Sequence, residues 1–325
     1  MKLFKYYSLN KYTLDSLQKN SLYFNLKSNF NDPFDLKLDF KMDKDDLKRK
    51  MPELSELINL MDDNEYEKIC YWNERFSFEN IGIFCCTKTP NNILMWSHYA
   101  DNHKGICVEF VDNFIDILKD SCKNEYADIY NRDIQYDDKR KNFNEMIQEK
   151  DSNPLYQKAE CWKYEQEHRI FIRSKSINFP GNIILNENYL KNIYIGCNTS
   201  VKDFLNLEKA MGYKLKCDTT VFMSLDENEF KLKEKMLNTD EFKNLICNLH
   251  EFTKKDFYCK TLKKYINLFS NKKFEKDYRD KFLKLKISDF ITYYDDFYKL
   301  HIDSNFLASK NLSKVSFALF LNNFS

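Results

Sequence analysis

Every extended, strand-like run in this chain lies before residue 228, and so do all five of its glycines and all five of its prolines. Beyond that point Leu, Phe, Ile and Tyr recur at helical spacing among Lys and Asp. A period of two buries one face of a strand and a period near 3.6 buries one stripe of a helix, so the two patterns are not interchangeable. The spacing therefore predicts an α+β domain over residues 1–227 and a helical region over 228–325.

Within the first region the strand runs are Lys2–Tyr7, Leu22–Phe24, Ile81–Cys86, Gly105–Phe110, residues 126–137, Glu165–Arg173, Leu190–Gly196 and Thr219–Met223. Helical patterns at 12–19, 44–76, 91–100, 111–120, 141–160 and 201–211 separate them. Hydrophobic residues make up 43% of the chain and charged residues 31%, enough for a packed core. The formal net charge is +1, which supplies no bulk attraction to nucleic acid or anionic lipid. The sequence shows no apolar run of membrane-spanning length, and the N-terminus passes from Lys2 and Lys5 into polar residues, so a cytoplasmic protein without membrane contact is expected. The ten cysteines contain no Cys-x-x-Cys pair and are expected to be reduced and mostly buried, with no zinc knuckle.

Three dense polar-aromatic clusters stand out: Asn29 to Asp35, Met95 to Gly105, and Trp162 to Arg169. A core needs apolar side chains at regular spacing; bunched His, Trp, Glu, Arg and Asn are what an aromatic-lined polar site requires. In the first cluster Asn31, Asp32 and Pro33 force a turn anchored by Phe30 and Phe34, and its carboxylates and amides line either that turn or a site. In the second, His98 and His103 would point about 140° apart on a helix at 100° per residue, with Asp101 beside His98 to orient its ring. Either histidine is a ligand contact or a hydrogen-bonded structural residue, and no metal site is expected from them. Gly105 allows a tight entry into the following strand. In the third, an extended strand puts Glu165, Glu167, Arg169 and Phe171 on one face. That face reads either as a solvated, salt-bridged surface or as a site in which a carboxylate accepts hydroxyl hydrogen bonds or moves a proton. The sequence offers no glycine-rich phosphate loop and no Gly-x-Ser-x-Gly elbow, and Cys85-Cys86 has no evident base.

Taken in order and spacing, these segments resemble the bacterial DUF2971 family, a domain of unknown function. The resemblance runs from Leu3-Phe4-Lys5-Tyr6, Leu22-Tyr23-Phe24 and Phe30-Asn31-Asp32-Pro33-Phe34-Asp35 through Phe84-Cys85-Cys86-Thr87 and Met95-Trp96-Ser97-His98-Tyr99-Ala100-Asp101. It continues with His103-Lys104-Gly105, Val108-Glu109-Phe110, Trp162, Glu165, Glu167, Arg169 and Ile193-Tyr194-Ile195-Gly196, over roughly residues 3 to 225. The layout is also similar to ADP-ribosyltransferase toxins, which implies a central mixed or antiparallel sheet. In that fold an early strand supplies His or Arg, a middle strand Tyr or Ser, and a late strand the catalytic Glu.

The resemblance implies NAD as substrate and a nucleic acid or protein acceptor, in a toxin or antiviral-defence setting. Glu167 and Glu165 would be catalytic, with His98 placing the acceptor or the pyrophosphate. Tyr6, Asn31, Asp32, Trp96, Tyr99 and Arg169 would bind the dinucleotide. This chain departs from the pattern by offering Lys5, Tyr6 or Tyr7 early in place of His or Arg. Two other classes stay open: a non-enzymatic nucleotide-sensing or interaction module, and a metal-dependent nuclease built on Asp32, Asp35, Glu165 and Glu167. The C-terminal helices are expected to contact a partner or a second copy or to cover the site, and their Phe-rich faces read equally as a core of their own.

Overall fold

The computed structural model describes residues 1–26, 30–36, 44–50, 52–68, 80–123, 126–139, 154–175, 181–253, 280 and 282–291. Strands β1 (Phe4–Tyr7), β2 (Ser21–Tyr23), β3 (Ile81–Thr87), β4 (Ile106–Phe110), β5 (Tyr126–Asp133) and β6 (Gln135–Tyr136) come first. They are followed by β7 (Gln157–Lys158), β8 (Glu167–Ser174), β9 (Asn182–Ile184), β10 (Leu190–Ile195), β11 (Thr220–Leu225) and β12 (Leu232–Met236). The principal helices are α1 (Lys11–Lys19), α2 (Ile93–Tyr99), α3 (Phe114–Cys122), α4 (Val201–Met211) and α5 (Thr239–Thr253). Eight strands form one mixed sheet in the order β12-β11-β10-β4-β1-β3-β8-β5, so the fold is α+β.

The chain divides into two compact units. One comprises Met1–Lys5, Lys19–Thr89 and Val111–Tyr189; the other comprises Tyr6–Gln18, Pro90–Phe110 and Leu190–Ser325. In the first unit β3 pairs antiparallel with β1 and β8, and β8 pairs antiparallel with β5. The β3–β8 register runs from Ile81 opposite Arg173 to Thr87 opposite Glu167. Period-two alternation then sorts the side chains. Phe84 joins one face, where Phe24 lies 5.1 Å away and Phe114 of α3 lies 6.3 Å away. On the other face Ile83 and Phe171 pack with Leu36, Ile81, Ile134 and Tyr156. That second face turns polar toward the start of β8.

The second unit holds β4, β10, β11 and β12. β10 lies antiparallel to β4 and parallel to β11, and the crossover between the two parallel strands is α4. Ser200 caps α4 by accepting from Asp203 N at 3.1 Å. The helix buries Val201, Phe204, Leu207 and Met211, and Phe204 meets Phe222 of β11 at 5.7 Å. Thr199 and Val201 are tied by backbone hydrogen bonds to Ile287 and Leu285.

Three expectations are corrected. Glu165 does not lie on the strand: residues Glu160–Glu165 form a 3-10 helix, Gln166 takes φ 44°, and β8 starts at Glu167. A single left-handed residue thus joins turn to strand, so Glu165 and Glu167 meet by a chain reversal and not by period-two spacing. Residues past 228 begin with a strand, since β12 adds antiparallel to β11. Its Lys233, Glu234 and Lys235 suit a sheet edge, where charge discourages further pairing and masks the strand pattern. Finally, Asp101 is not on a helix with His98, because α2 ends at Tyr99 and the chain then reverses. The expected helices over 69–76 and 141–153, and the C-terminal helices over 254–279 and 292–325, lie outside the described residues. Among the described residues no helix is long and apolar enough to cross a membrane.

The reversal after α2 is a run of three left-handed residues, Asp101 (φ 47°), Asn102 (φ 54°) and His103 (φ 67°). It returns Asn102 N to Ser97 O, His103 N to Trp96 O and Gly105 N to Ala100 O, satisfying the carbonyls at the helix end. The chain then passes so close to β1 that a Cβ on Gly105 would lie 2.0 Å from the Tyr7 carbonyl oxygen. Gly105→Ala is expected to cost about 3 kcal/mol, the upper end for overpacking. Gly212→Ala, at φ 53° and ψ −124° with no atom near the added methyl, is expected to cost about 2 kcal/mol through backbone strain alone. Urea unfolding of the two variants checks the contrast.

Candidate functional site

The site begins with how the sequence delivers five charged groups to one place. Asp32 Oδ1 accepts from Phe34 N at 2.9 Å and Asp32 O accepts from Asp35 N at 3.1 Å, so the Asn-Asp-Pro turn folds on its own carboxylate. Leu36 follows at φ 57° and is buried. Phe30 is half-buried beneath the Arg169 guanidinium, 5.6 Å from its ring centre. Phe34 does not anchor the loop as expected; it is 63% exposed, since Phe30 and Leu36 already take the inward positions.

Arg169 has no exposed surface. Its Nε donates to Glu167 Oε1 at 2.5 Å, and its Nη2 to Asp35 Oδ2 at 2.6 Å and Glu167 Oε2 at 3.2 Å. Its Nη1 donates to Leu155 O at 3.0 Å. Lys158 of β7 sits beside it, with Nζ 2.5 Å from Glu165 Oε2, 3.1 Å from Glu167 Oε2 and 3.6 Å from Asp35 Oδ2. The same ammonium lies 4.9 Å from the Trp162 ring centre. Tyr136 Oη accepts from Glu167 N at 2.7 Å, and Thr87 Oγ1 donates to Glu165 O at 2.6 Å. All five charged side chains are buried, so the solvated reading of this strand face is corrected: strands β3 and β8 and the Asp35 turn exclude water from it.

Electrostatics follow from that burial. Desolvation pushes Glu167 up, but the Arg169 charge and hydrogen bonds, the Lys158 charge and a hydrogen bond from Cys85 outweigh it and hold the carboxyl well below the carboxylate range. Desolvation opposes the charge on Lys158 as well, and Glu167, Glu165 and Asp35 together raise its pKa. Arg169 is likewise raised, by Glu167 foremost, against its own burial. The cluster carries three carboxylates and two cations. One oxygen, Asp35 Oδ1, is buried without a hydrogen-bond partner. On the opposite face of β8, His168 Nδ1 bonds Asp133 Oδ1 at 2.8 Å while its buried Nε2 has no partner.

The second unit holds the other expected residues. Trp96 is fully buried; its Nε1 donates to Pro90 O at 2.7 Å, and Tyr6 meets it edge-on at 5.2 Å. His103 stacks on Trp96 at 6.2 Å and places Nε2 3.1 Å from Ser97 Oγ. Ser97 already donates to Ile93 O, so its oxygen accepts and His103 is the Nε2–H tautomer. Burial lowers the His103 pKa and keeps the ring neutral at pH 7. His98 is exposed on α2 and Tyr99 is half-buried beside it, with ring centres 6.3 Å apart. In this unit a further buried carboxylate, Glu109, accepts from Asn192 at 2.7 Å and Tyr194 at 3.1 Å.

Of the residues singled out from sequence, Glu165, Glu167 and Arg169 thus meet in one unit. Asp32 is buried and builds the turn that delivers Asp35, while Asn31 is exposed. Tyr6, Trp96, His98 and Tyr99 belong to the other unit. Lys158 was hidden in a charged stretch read as helix. One signal could have found it: a buried Glu-x-Glu-x-Arg carries one carboxylate more than it has cations, which calls for another cation close by. Among the described residues, no group of three or more His, Cys, Asp and Glu side chains is arranged to hold a metal ion.

Residues 95–170 match the family model described as "Protein of unknown function (DUF2971)", so a DUF2971 region is present over that span. The matched stretch runs from Met95 at the heart of α2 to Ile170, and includes Lys158, Glu165, Glu167 and Arg169. The Phe30–Asp35, Phe84–Thr87 and Ile193–Gly196 segments lie outside it. No curated protein and no solved structure matches the chain.

Removing the Glu167 charge is expected to leave Arg169 and Lys158 short of a partner, so Glu167→Gln should cost about 3–5 kcal/mol at pH 7. The folded pKa lies below the ordinary glutamate value of 4.5, so the stabilisation is fully present above that value and is lost as pH falls toward the folded one. The gap between wild type and variant should be constant above about pH 4.5 and narrow below it by up to about 1.4 kcal/mol per pH unit. Urea unfolding from pH 7 to pH 3 measures it; a gap independent of pH would contradict an ionised, paired Glu167.

Proposed function

We propose that this chain consumes NAD by ADP-ribosyltransferase-type chemistry, with Glu167 as the carboxylate that holds the ribose next to nicotinamide. The observation that carries the reading is a cross-strand row: Phe4 on β1 is opposite Thr87 on β3, and Thr87 is opposite Glu167 on β8. The early, middle and late strands that such chemistry requires are thus immediate neighbours. Their matched positions bring a buried hydroxyl and a buried carboxylate side by side. Lys5, early where a His or Arg is usual, departs from the pattern: its ammonium lies on the opposite face, 4.4 Å from the Phe84 ring centre, and donates to Cys85 O at 2.7 Å.

The charge of the cluster supports the same reading. Breaking the nicotinamide–ribose bond sends the bonding pair to nicotinamide and leaves positive charge on the ribosyl carbon. The acceptor nucleophile then bonds to that carbon and loses its proton to solvent. Asp35, Glu165 and Glu167 exceed Lys158 and Arg169 by one negative charge, in a water-poor site where such a charge steadies a developing cation most. Asp35 Oδ1, buried and without a hydrogen-bond partner, is a ready acceptor for a ribose hydroxyl. The acceptor class stays as nucleic acid or protein.

One observation favours a second reading, a non-enzymatic nucleotide-sensing or interaction module. Both Glu167 oxygens are already engaged by Arg169 and Lys158, as in a structural ion cluster.

The test is nicotinamide release from NAD with RNA, DNA or protein extract as acceptor, comparing wild type with Glu167→Gln. Release that falls at least about 100-fold in a variant still folded by circular dichroism is the expected result. Nucleotide binding without release in wild type would sink the transferase in favour of the sensing module. Nucleic-acid cleavage abolished by a chelator would favour the metal-dependent nuclease instead.

A further inference from the structure

We propose that Asp35, Glu165, Glu167 and the Trp162 ring form a binding site for an organic cation, which the Lys158 ammonium fills in the resting chain. The proposal rests on the NAD reading only for the identity of that cation, the positively charged pyridinium-ribosyl end of the dinucleotide. The cage itself is argued from geometry. Three carboxylates within 2.5–3.6 Å of one ammonium, with an aromatic face 4.9 Å away, are the elements by which a compact organic cation is recognised.

The two cations of the cluster differ in kind. Arg169 is held by a fork of hydrogen bonds to Glu167 and Asp35 and by a further one to Leu155 O, so it belongs to the frame. The hydrogen bonds of the Lys158 ammonium run to the side chains of Glu165 and Glu167, from a flexible stem that places a point charge. Its strand, β7, is two residues long and pairs with the two residues of β6 between 3-10 turns at Pro154–Tyr156 and Glu160–Glu165. So short a ladder holds weakly. Removing Lys158 would leave three carboxylates against one guanidinium.

A second observation points to a ligand. Asp35, whose side chain is 0% exposed, leaves Oδ1 without a hydrogen-bond partner, while its Oδ2 accepts from Arg169 Nη2 at 2.6 Å and lies 3.6 Å from the Lys158 ammonium. A neutralising lysine alone does not account for that open acceptor; a ligand that also brings an O–H or N–H donor does. Trp162 is half-buried, so one wall of the cage reaches solvent.

The experiment is chemical rescue of the full chain. Lys158→Ala should gain stability from 100 mM propylammonium chloride, its urea midpoint rising by about 0.5 M. Wild type, with the cage filled, and Lys158→Met, whose side chain occupies the same volume, should not respond. 1-Propanol and sodium chloride at equal concentration should leave Lys158→Ala unchanged. If that variant does not fold in buffer, recovery of its far-ultraviolet circular dichroism by propylammonium but not propanol is the same readout. Equal effects of propylammonium and either control, or an equal shift in wild type, would overturn the cage. With NAD, Lys158→Ala should release nicotinamide faster than wild type, with propylammonium inhibiting. Release by wild type and none by the folded variant would overturn Lys158 as an occupant. Absence of release from both proteins would fell the transferase reading, and the propylammonium selectivity alone would then decide the cage.

Discussion

The guanidinium of Arg169 is the group on which the first unit depends. A cation that loses all contact with water forfeits several kcal/mol of hydration, and only close, well-aligned anions return it. Here the return comes from Glu167 two residues earlier on the same strand and from Asp35 far away in sequence. It comes also from the Leu155 carbonyl and the face of Phe30. None of these elements can shift without leaving charge unpaired. The Asn-Asp-Pro turn, the segment before β7 and the start of β8 are therefore fixed relative to one another by chemistry that an apolar contact, which has no direction, would not impose.

That constraint sits at one end of an otherwise ordinary sheet face. Along β8 the inward positions pass from Phe171 to Arg169 to Glu167, and along β3 from Ile83 to Cys85 to Thr87. The apolar end supplies the burial that makes the polar end dry. The Cys85 thiol lies where the two meet; its pKa is raised by desolvation first and by Glu167 next, so it remains a neutral hydrogen-bond donor to that carboxylate. Hydrophobic packing thus sets the strength of the electrostatics beside it, because the same ion pairs in water would contribute little.

Much of this was legible in the chain, for a physical reason. Continuous apolar runs marked β3 and β4, which are buried on both faces, and extended alternation marked β8. The charged edge strand β12 escaped notice because only Leu232 is buried and the rest of its pattern is solvent-facing. The polar-aromatic density of Trp162 to Arg169 marked the stretch that carries the buried ion cluster, yet its geometry was misread. Nothing in Glu-Gln-Glu reveals that Gln166 adopts a left-handed backbone, which glutamine rarely does. Lys158 was the hardest to foresee, since its partners are set by tertiary folding, whereas Asp35 was grouped with Glu165 and Glu167 only in the nuclease alternative. In the second unit, Gly105 was read as a tight entry into β4, and what calls for glycine there is the close passage of β1. Its cause, the Tyr7 carbonyl, lies far off in sequence, as does the His103 carbonyl that a Cβ on Gly196 would approach to 2.2 Å.

The composition of the buried cluster bears on why it exists. Ion clusters of this depth rarely gain stability over apolar side chains of the same volume, so stability by itself is a weak account of five buried charges. A cluster serving only to lock the Asp35 turn onto β8 would need Arg169 and two carboxylates. This one adds the Glu165–Lys158 pair, which leaves the net charge as it was, and keeps Asp35 Oδ1 without a hydrogen-bond partner. Both additions are a cost to folding, since a second buried pair must be desolvated and a buried oxygen goes unbonded, and the proposed cation site would give that cost a use: the oxygen would accept a ligand's donor and Lys158 would hold the place of its charge.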